Sequence, residues 1–295
     1  MDFAHPEYLV TTEWLAAHLD DPDLVVLDVT AKLTSRLDNS PARDVWDSAH
    51  IPGSRFFDVA SAKGVLSDPD ATLPWTWPSP SQFATTMTAF GVGGDSRVVL
   101  VGRTPRPGVD SGTMWCTRAW WTMHHYGVDC AVLEGGIEQW DLDGRPLVSG
   151  AAAPVVAGTE LRLAPDWERG RASRDDVLAG DACVIDALPA ASFEGRQVNY
   201  GRPGHIAGAV NVPGGRLIDH ETCGFVDADT MHRALDDVGA FGAPAAITYC
   251  GGAIAATVDA FCLALLGHER VSVYDGSLME WAADPELPMT DPSAG

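Results

Sequence analysis

Short, unbroken apolar runs separated by longer stretches of mixed polarity recur along the chain. Leu24-Val25-Val26-Leu27, Val98-Val99-Leu100-Val101, Val184-Ile185 and Ala245-Ala246-Ile247-Thr248-Tyr249 are the clearest. Runs of this length, rich in β-branched residues and without polar alternation, predict strands of a sheet covered on both faces. Between them, Thr12 to Leu19, Ser81 to Phe90, Met114 to Met123 and Thr230 to Asp237 have helical character. Strand and helix therefore alternate, which predicts α/β layers built on parallel sheets.

The pattern occurs twice. Leu24-Val25-Val26-Leu27-Asp28 matches Cys183-Val184-Ile185-Asp186, and His50-Ile51-Pro52-Gly53 matches His205-Ile206-Ala207-Gly208. The run ending at Val101 before Gly102 matches the run ending at Tyr249 before Cys250, and Val132 to Gly136 with Trp140 matches Val273 to Ser277 with Trp281. The offsets fall from 158 to 155, 148 and 141, as they do when loops shorten and elements persist. A length of 295 residues suits two domains. The Ala-, Gly- and Pro-rich stretch Leu147 to Pro165 predicts a linker, giving domains at 1–147 and 166–295 with residues 148–165 between them.

Within the second half, Cys250 stands on a strand-to-helix turn, followed by Gly251-Gly252 and an apolar segment that reaches Leu266. Ligands of parallel sheets sit beyond the carboxyl ends of the strands, which is where this thiol lies. Backbone N–H groups at a helix start favour a thiolate and anions bound beside it. From an ordinary value of about 8.5, such a helix start lowers a thiol's pKa by roughly one unit. Cys250 is thus the candidate nucleophile. The first half has Gly102 at the matching place, followed by the polar loop Arg103 to Gly112, and Cys116 lies too far along to substitute.

Charge and the remaining cysteines narrow the options. Nineteen Lys and Arg against 41 Asp and Glu leave a net charge of −22, which repels nucleic acid and anionic membrane. No pair among Cys116, Cys130, Cys183, Cys223, Cys250 and Cys262 has C-x-x-C spacing, and histidines do not cluster near them, so neither a metal nor another cofactor is expected. Met1 to Glu7 shows no basic patch leading into an apolar stretch, and the expected location is the cytoplasm.

The segments Ala49 to Asp58, Arg202 to Pro213, the Cys250 loop and Tyr274 to Trp281 together resemble the tandem-domain rhodanese and mercaptopyruvate sulfurtransferase family over nearly the whole chain. The resemblance implies two rhodanese-like domains, the first without a catalytic cysteine. It also implies a cysteine that takes sulfur from a small donor as a persulfide and passes it to cyanide, a thiol or a protein acceptor. The six-residue loop Gly251, Gly252, Ala253, Ile254, Ala255 and Ala256 carries no basic residue, unlike thiosulfate-preferring members. It is closer to the mercaptopyruvate type, Cys-Gly-Ser-Gly-Val-Thr-Ala, with Gly252 in place of the serine and Ala255 in place of the threonine. A mercaptopyruvate-like donor is favoured over thiosulfate. By the same resemblance His50 is left to serve proton transfer, and Arg202 and Arg196 match the arginines that bind the donor carboxylate.

Bland readings stand beside these. Cys250 as a buried free cysteine, His50 as a turn residue like His205, and the arginines as solvated ion pairs are each consistent with the sequence. The lost loop hydroxyls also fit a decayed rhodanese-like binding or scaffolding protein. A cysteine phosphatase is excluded, because its loop needs an arginine six positions after the cysteine and position 256 is alanine. Trp75 and Trp77 suit either a cover over a cleft or a loop anchor.

Overall fold

A computed structural model describes residues 1–33, 39–104, 112–151 and 154–294. The chain forms two compact units: Glu7–Trp167 with Asp219–Phe225, and Met1–Pro6 with Glu168–Ile218 and Val226–Gly295. The seven residues 219–225 therefore belong with the earlier unit although they fall in the later half of the sequence. Most of the polar loop after Gly102, residues 105–111, lies outside the described residues.

The first unit has strands β1 (Leu9–Val10), β2 (Leu24–Asp28), β3 (Arg55–Phe56), β4 (Arg97–Val101) and β5 (Asp129–Leu133). Their spatial order is β1-β5-β4-β2-β3, and every neighbouring pair is parallel. The second unit has β6 (Arg171–Ala172), β7 (Cys183–Asp186), β8 (Val210–Asn211), β9 (Ala246–Tyr249) and β10 (Val271–Tyr274). Their order, β6-β10-β9-β7-β8, is the same arrangement, again wholly parallel.

Helices repeat too: α1 (Thr12–His18), α2 (Arg43–Ser48), α3 (Pro80–Ala89), α4 (Gly112–His125) and α5 (Gly136–Leu142), then α6 (Arg174–Ala179), α7 (Ala190–Phe193), α8 (Ala228–Asp236), α9 (Ala256–Leu265) and α10 (Ser277–Trp281). Their starts are set by side-chain caps: Thr11 for α1, Ser79 with Gln82 for α3, Ser173 with Asp176 for α6 and Asp227 for α8. The central strands β4 and β9 are largely apolar because helices cover both faces; Val98 to Val101 and all of Ala246–Tyr249 are buried. In the first unit, Val99 and Val101 with Ala131 and Leu133 alternate onto one face, where Leu15, Ile51, Ile137 and Trp140 join them in a single core.

Paired details extend the duplication to single atoms. Trp140 Nε1 donates to Pro146 O at 2.9 Å, and Trp281 Nε1 donates to Pro288 O at 3.0 Å. The strand-end acids Asp28 and Asp186 each accept from a backbone N–H two residues on, at 2.9 and 2.8 Å. Of the linker stretch, Gly158 donates to Thr88 O and Ala164 to Tyr126 O, both at 3.0 Å, so it runs along the first unit. Trp75 and Trp77 are buried, and Trp75 Nε1 donates to Ala60 O at 3.0 Å, the behaviour of loop anchors. Among the described residues, no helix is long and apolar enough to cross a membrane.

Candidate active site

Cys250 follows β9 directly, and α9 does not begin until Ala256. The residues between them form a tight cradle. Ala253 takes φ +59°, a left-handed conformation rare for a residue with a Cβ, which reverses the chain around the sulfur. Ile254 N donates to Cys250 Sγ at 3.3 Å, and the N–H groups of Gly252 and Ala256 also favour its thiolate. Turns that aim successive N–H groups inward make anion-binding concavities.

The start of α10 straps this cradle in place. Cys250 N donates to Ser277 Oγ at 3.2 Å, and that hydroxyl donates to Tyr274 O at 2.8 Å. Leu278 N and Met279 N donate to the carbonyls of Cys250 and Gly251, at 3.1 and 3.0 Å. The first unit keeps the frame without the nucleophile: Ile137 N donates to Gly102 O at 3.0 Å. A Cβ at Gly102 would lie 3.1 Å from both Cys116 Sγ and Gly112 O, so even the first atom of a side chain is crowded there.

The environment of the thiol corrects the expectation of a lowered pKa. Cys250 is only 2% exposed, and burial pushes the thiol above its ordinary value despite the three N–H groups, with the nearby Asp186 adding to the rise. Asp186, fully buried, is itself pushed from 3.8 up to about 6 by burial, against the bond from Leu188 N and the Tyr249 phenol. Tyr249 in turn accepts from Ile206 N at 3.1 Å. On the first turn of α9, Asp259 is buried with neither carboxylate oxygen hydrogen-bonded among the described residues, and burial pushes its carboxyl well above the usual range. Burial therefore favours its neutral form.

The residues flanking Cys250 fall into distinct groups. Gly251, Gly252, Ala253 and Ile254 are buried, Ala255 is half-buried, and Ala256 opens α9. Both arginines, expected to bind a donor carboxylate, have partners within the chain. Arg202 donates through Nη1 to Asp284 O at 2.8 Å and through Nη2 to Leu287 O at 2.9 Å, so its fork holds the turn after α10. Arg196 is exposed and ion-paired to Glu194 two residues away, with Nε donating at 2.7 Å. Each guanidinium is thus engaged by the protein itself.

His50, in the first unit, is 3% exposed; its Nδ1 donates to Trp46 O at 2.8 Å and its ring stacks on Trp46 at 3.8 Å. His205 repeats this, donating to Phe193 O at 2.7 Å and stacking on Phe193 at 3.6 Å. The same device thus recurs at the matching turn of each half. Asp186 and Ser277 stood in the sequence as landmarks of the repeat and gave no sign of a place at the thiol. Tyr200, whose ring lies against Gly251, comes from an irregular segment without any periodic signal.

Comparison with known proteins matches this geometry. The rhodanese-like domain matches residues 11–143 and again residues 169–284. The 3-mercaptopyruvate sulfurtransferase of Escherichia coli K12 is 32% identical over 294 residues, covering 96% of this chain and 97% of that protein. The thiosulfate sulfurtransferase of Gallus gallus is 29% identical, covering 96% of each. The crystal structure of the Escherichia coli 3-mercaptopyruvate sulfurtransferase superposes with a TM-score of 0.78 at 29% identity, over 92% of this chain and 98% of that one. Two rhodanese-like matches, two copies of one five-stranded parallel sheet and these relatives place the chain in the rhodanese-like family, as a tandem-domain enzyme of the sulfurtransferase type.

Proposed function

We propose that Cys250 carries the transferred sulfur as a persulfide. The observation that supports this is the cradle: the amides of Gly252, Ile254 and Ala256 converge on a thiol at the carboxyl end of the central strand. In the first step the Cys250 thiolate bonds to the donor's outer sulfur, and the bond joining that sulfur to the donor breaks with its electron pair left on the donor remnant. In the second, an acceptor nucleophile bonds to the outer sulfur and the S–S electron pair returns to Cys250. Negative charge on sulfur appears at both ends of the cycle, and the converging N–H groups stabilise it each time.

A mercaptopyruvate-like donor is preferred to thiosulfate, because the loop offers no cation to a dianion and the chain carries a net charge of −22. Acceptors are cyanide, a small thiol or a protein thiol. Arg202 and His50 each serve the turn in which they stand. A decayed scaffold is disfavoured, since the amide cradle persists although both loop hydroxyls are gone. Turnover of mercaptopyruvate and of thiosulfate, with cyanide as acceptor, tests this. Parent protein is expected to turn over the first faster at matched ionic strength, and Cys250→Ala to turn over neither. Retained turnover in Cys250→Ala overturns the assignment.

A further inference from the structure

We infer that Tyr200 is a positioning residue of the sulfur site, whose phenol donates a hydrogen bond to the outer sulfur carried by Cys250. This rests on the persulfide reading and adds to it the group that holds the sulfur in transit.

Three observations carry the inference. The first is steric. A Cβ built at Gly251 would overlap Cζ, the hydroxyl oxygen and Cε1 of Tyr200, so the phenol end of the ring, not its base, fills the space that this glycine leaves beside the nucleophile. The second is that the hydroxyl has no hydrogen-bond partner among the described residues, although Tyr200 is half-buried. A phenol with no partner in the resting protein is free to donate when an acceptor arrives during function. The third is the loop itself, which has no hydroxyl of its own from Gly251 to Ala256.

The backbone around Tyr200 is built to hold it there. Two residues on, the Arg202 fork is tied to the carbonyls of Asp284 and Leu287, at 2.8 and 2.9 Å. Gly201 and Gly204 take φ +89° and +85°, turns open to glycine and strained for other residues. Burial first, then charge on Cys250 and Asp186, push the phenol well above its ordinary range, so it stays protonated and remains a donor at neutral pH. An anionic sulfur one bond beyond Sγ is the acceptor that the resting protein lacks.

The test uses the full chain loaded with 3-mercaptopyruvate and compares Tyr200→Phe and Gly251→Ala with the parent. The pH midpoint for alkylation of the outer sulfur is followed by peptide mass, alongside kcat and KM. Tyr200→Phe is expected to load sulfur, to raise that midpoint by about one unit, and to lower kcat roughly tenfold with KM little changed. Gly251→Ala, which displaces the ring, is expected to give the same shift. An unchanged midpoint and kcat in a loaded Tyr200→Phe overturn this role alone. A parent that takes up no sulfur overturns the persulfide reading and this role with it.

Discussion

Replacing Asp186 with asparagine should make the second unit more stable, and more so as pH rises. Asparagine keeps an oxygen for the Leu188 N–H, which Asp186 accepts at 2.8 Å, while removing a charge from a fully buried position. The carboxyl is pushed from 3.8 to about 6, with burial the largest cause. A rise of roughly two units, at about 1.4 kcal/mol each, is about 3 kcal/mol of unfavourable ionisation. Between about pH 4 and 6 the native state keeps a proton that the unfolded chain has lost, so this group's stabilising contribution is complete below about pH 4 and is lost as pH rises through about 6. Asp186→Asn removes that loss. Amide exchange of β7 and β9, measured in parent and variant at pH 4.5 and 7.5, should show a gain of about 1 kcal/mol at the lower pH that grows to about 3 kcal/mol at the higher. The difference between variant and parent cancels every other carboxylate. A gain equal at both pH values, or one that shrinks as pH rises, would refute the reasoning. Asp28, pushed from 3.8 to about 6 by burial, is the same experiment repeated in the first unit.

Other substitutions separate structural from chemical roles. Arg202→Ala should cost about 1–3 kcal/mol in thermal unfolding, because two charge-assisted bonds to carbonyls are lost; KM should change equally for carboxylate and non-carboxylate donors, and a selective rise for the carboxylate would restore a donor-binding role. Ala253→Gly should leave the melting temperature unchanged or raise it, against the usual loss of about 0.5–1 kcal/mol, because φ +59° suits glycine; a clear loss would mean the left-handed turn carries no strain.

The repeat was legible because its signals are local. Central strands such as Val98 to Val101 and Ala246 to Tyr249 are short runs of mostly apolar, β-branched residues, and the His-turns and Trp-helices recur in register with them. Cys250 was legible for the same reason, since a strand, a thiol and two glycines sit side by side in the sequence. What escaped is tertiary. The sign of the thiol's shift depends on how deeply the loop is covered, a quantity set by residues fifty positions away such as Tyr200. Arg202 could be seen as a cation, but its partners, the carbonyls of Asp284 and Leu287, lie more than eighty residues on. Residues 219–225 carry no compositional mark of membership in the earlier unit; their place is fixed by bonds such as Thr113 Oγ1 to Cys223 O, at 3.0 Å.

Sulfur bound at one cysteine is the heart of the account, and peptide-resolved mass after brief exposure to 3-mercaptopyruvate reads it directly. One added sulfur atom on the peptide containing Cys250, discharged by cyanide and absent from Cys250→Ala, is the expected result. Sulfur found instead on Cys116, Cys130, Cys183, Cys223 or Cys262, or uptake that survives in Cys250→Ala, would contradict it.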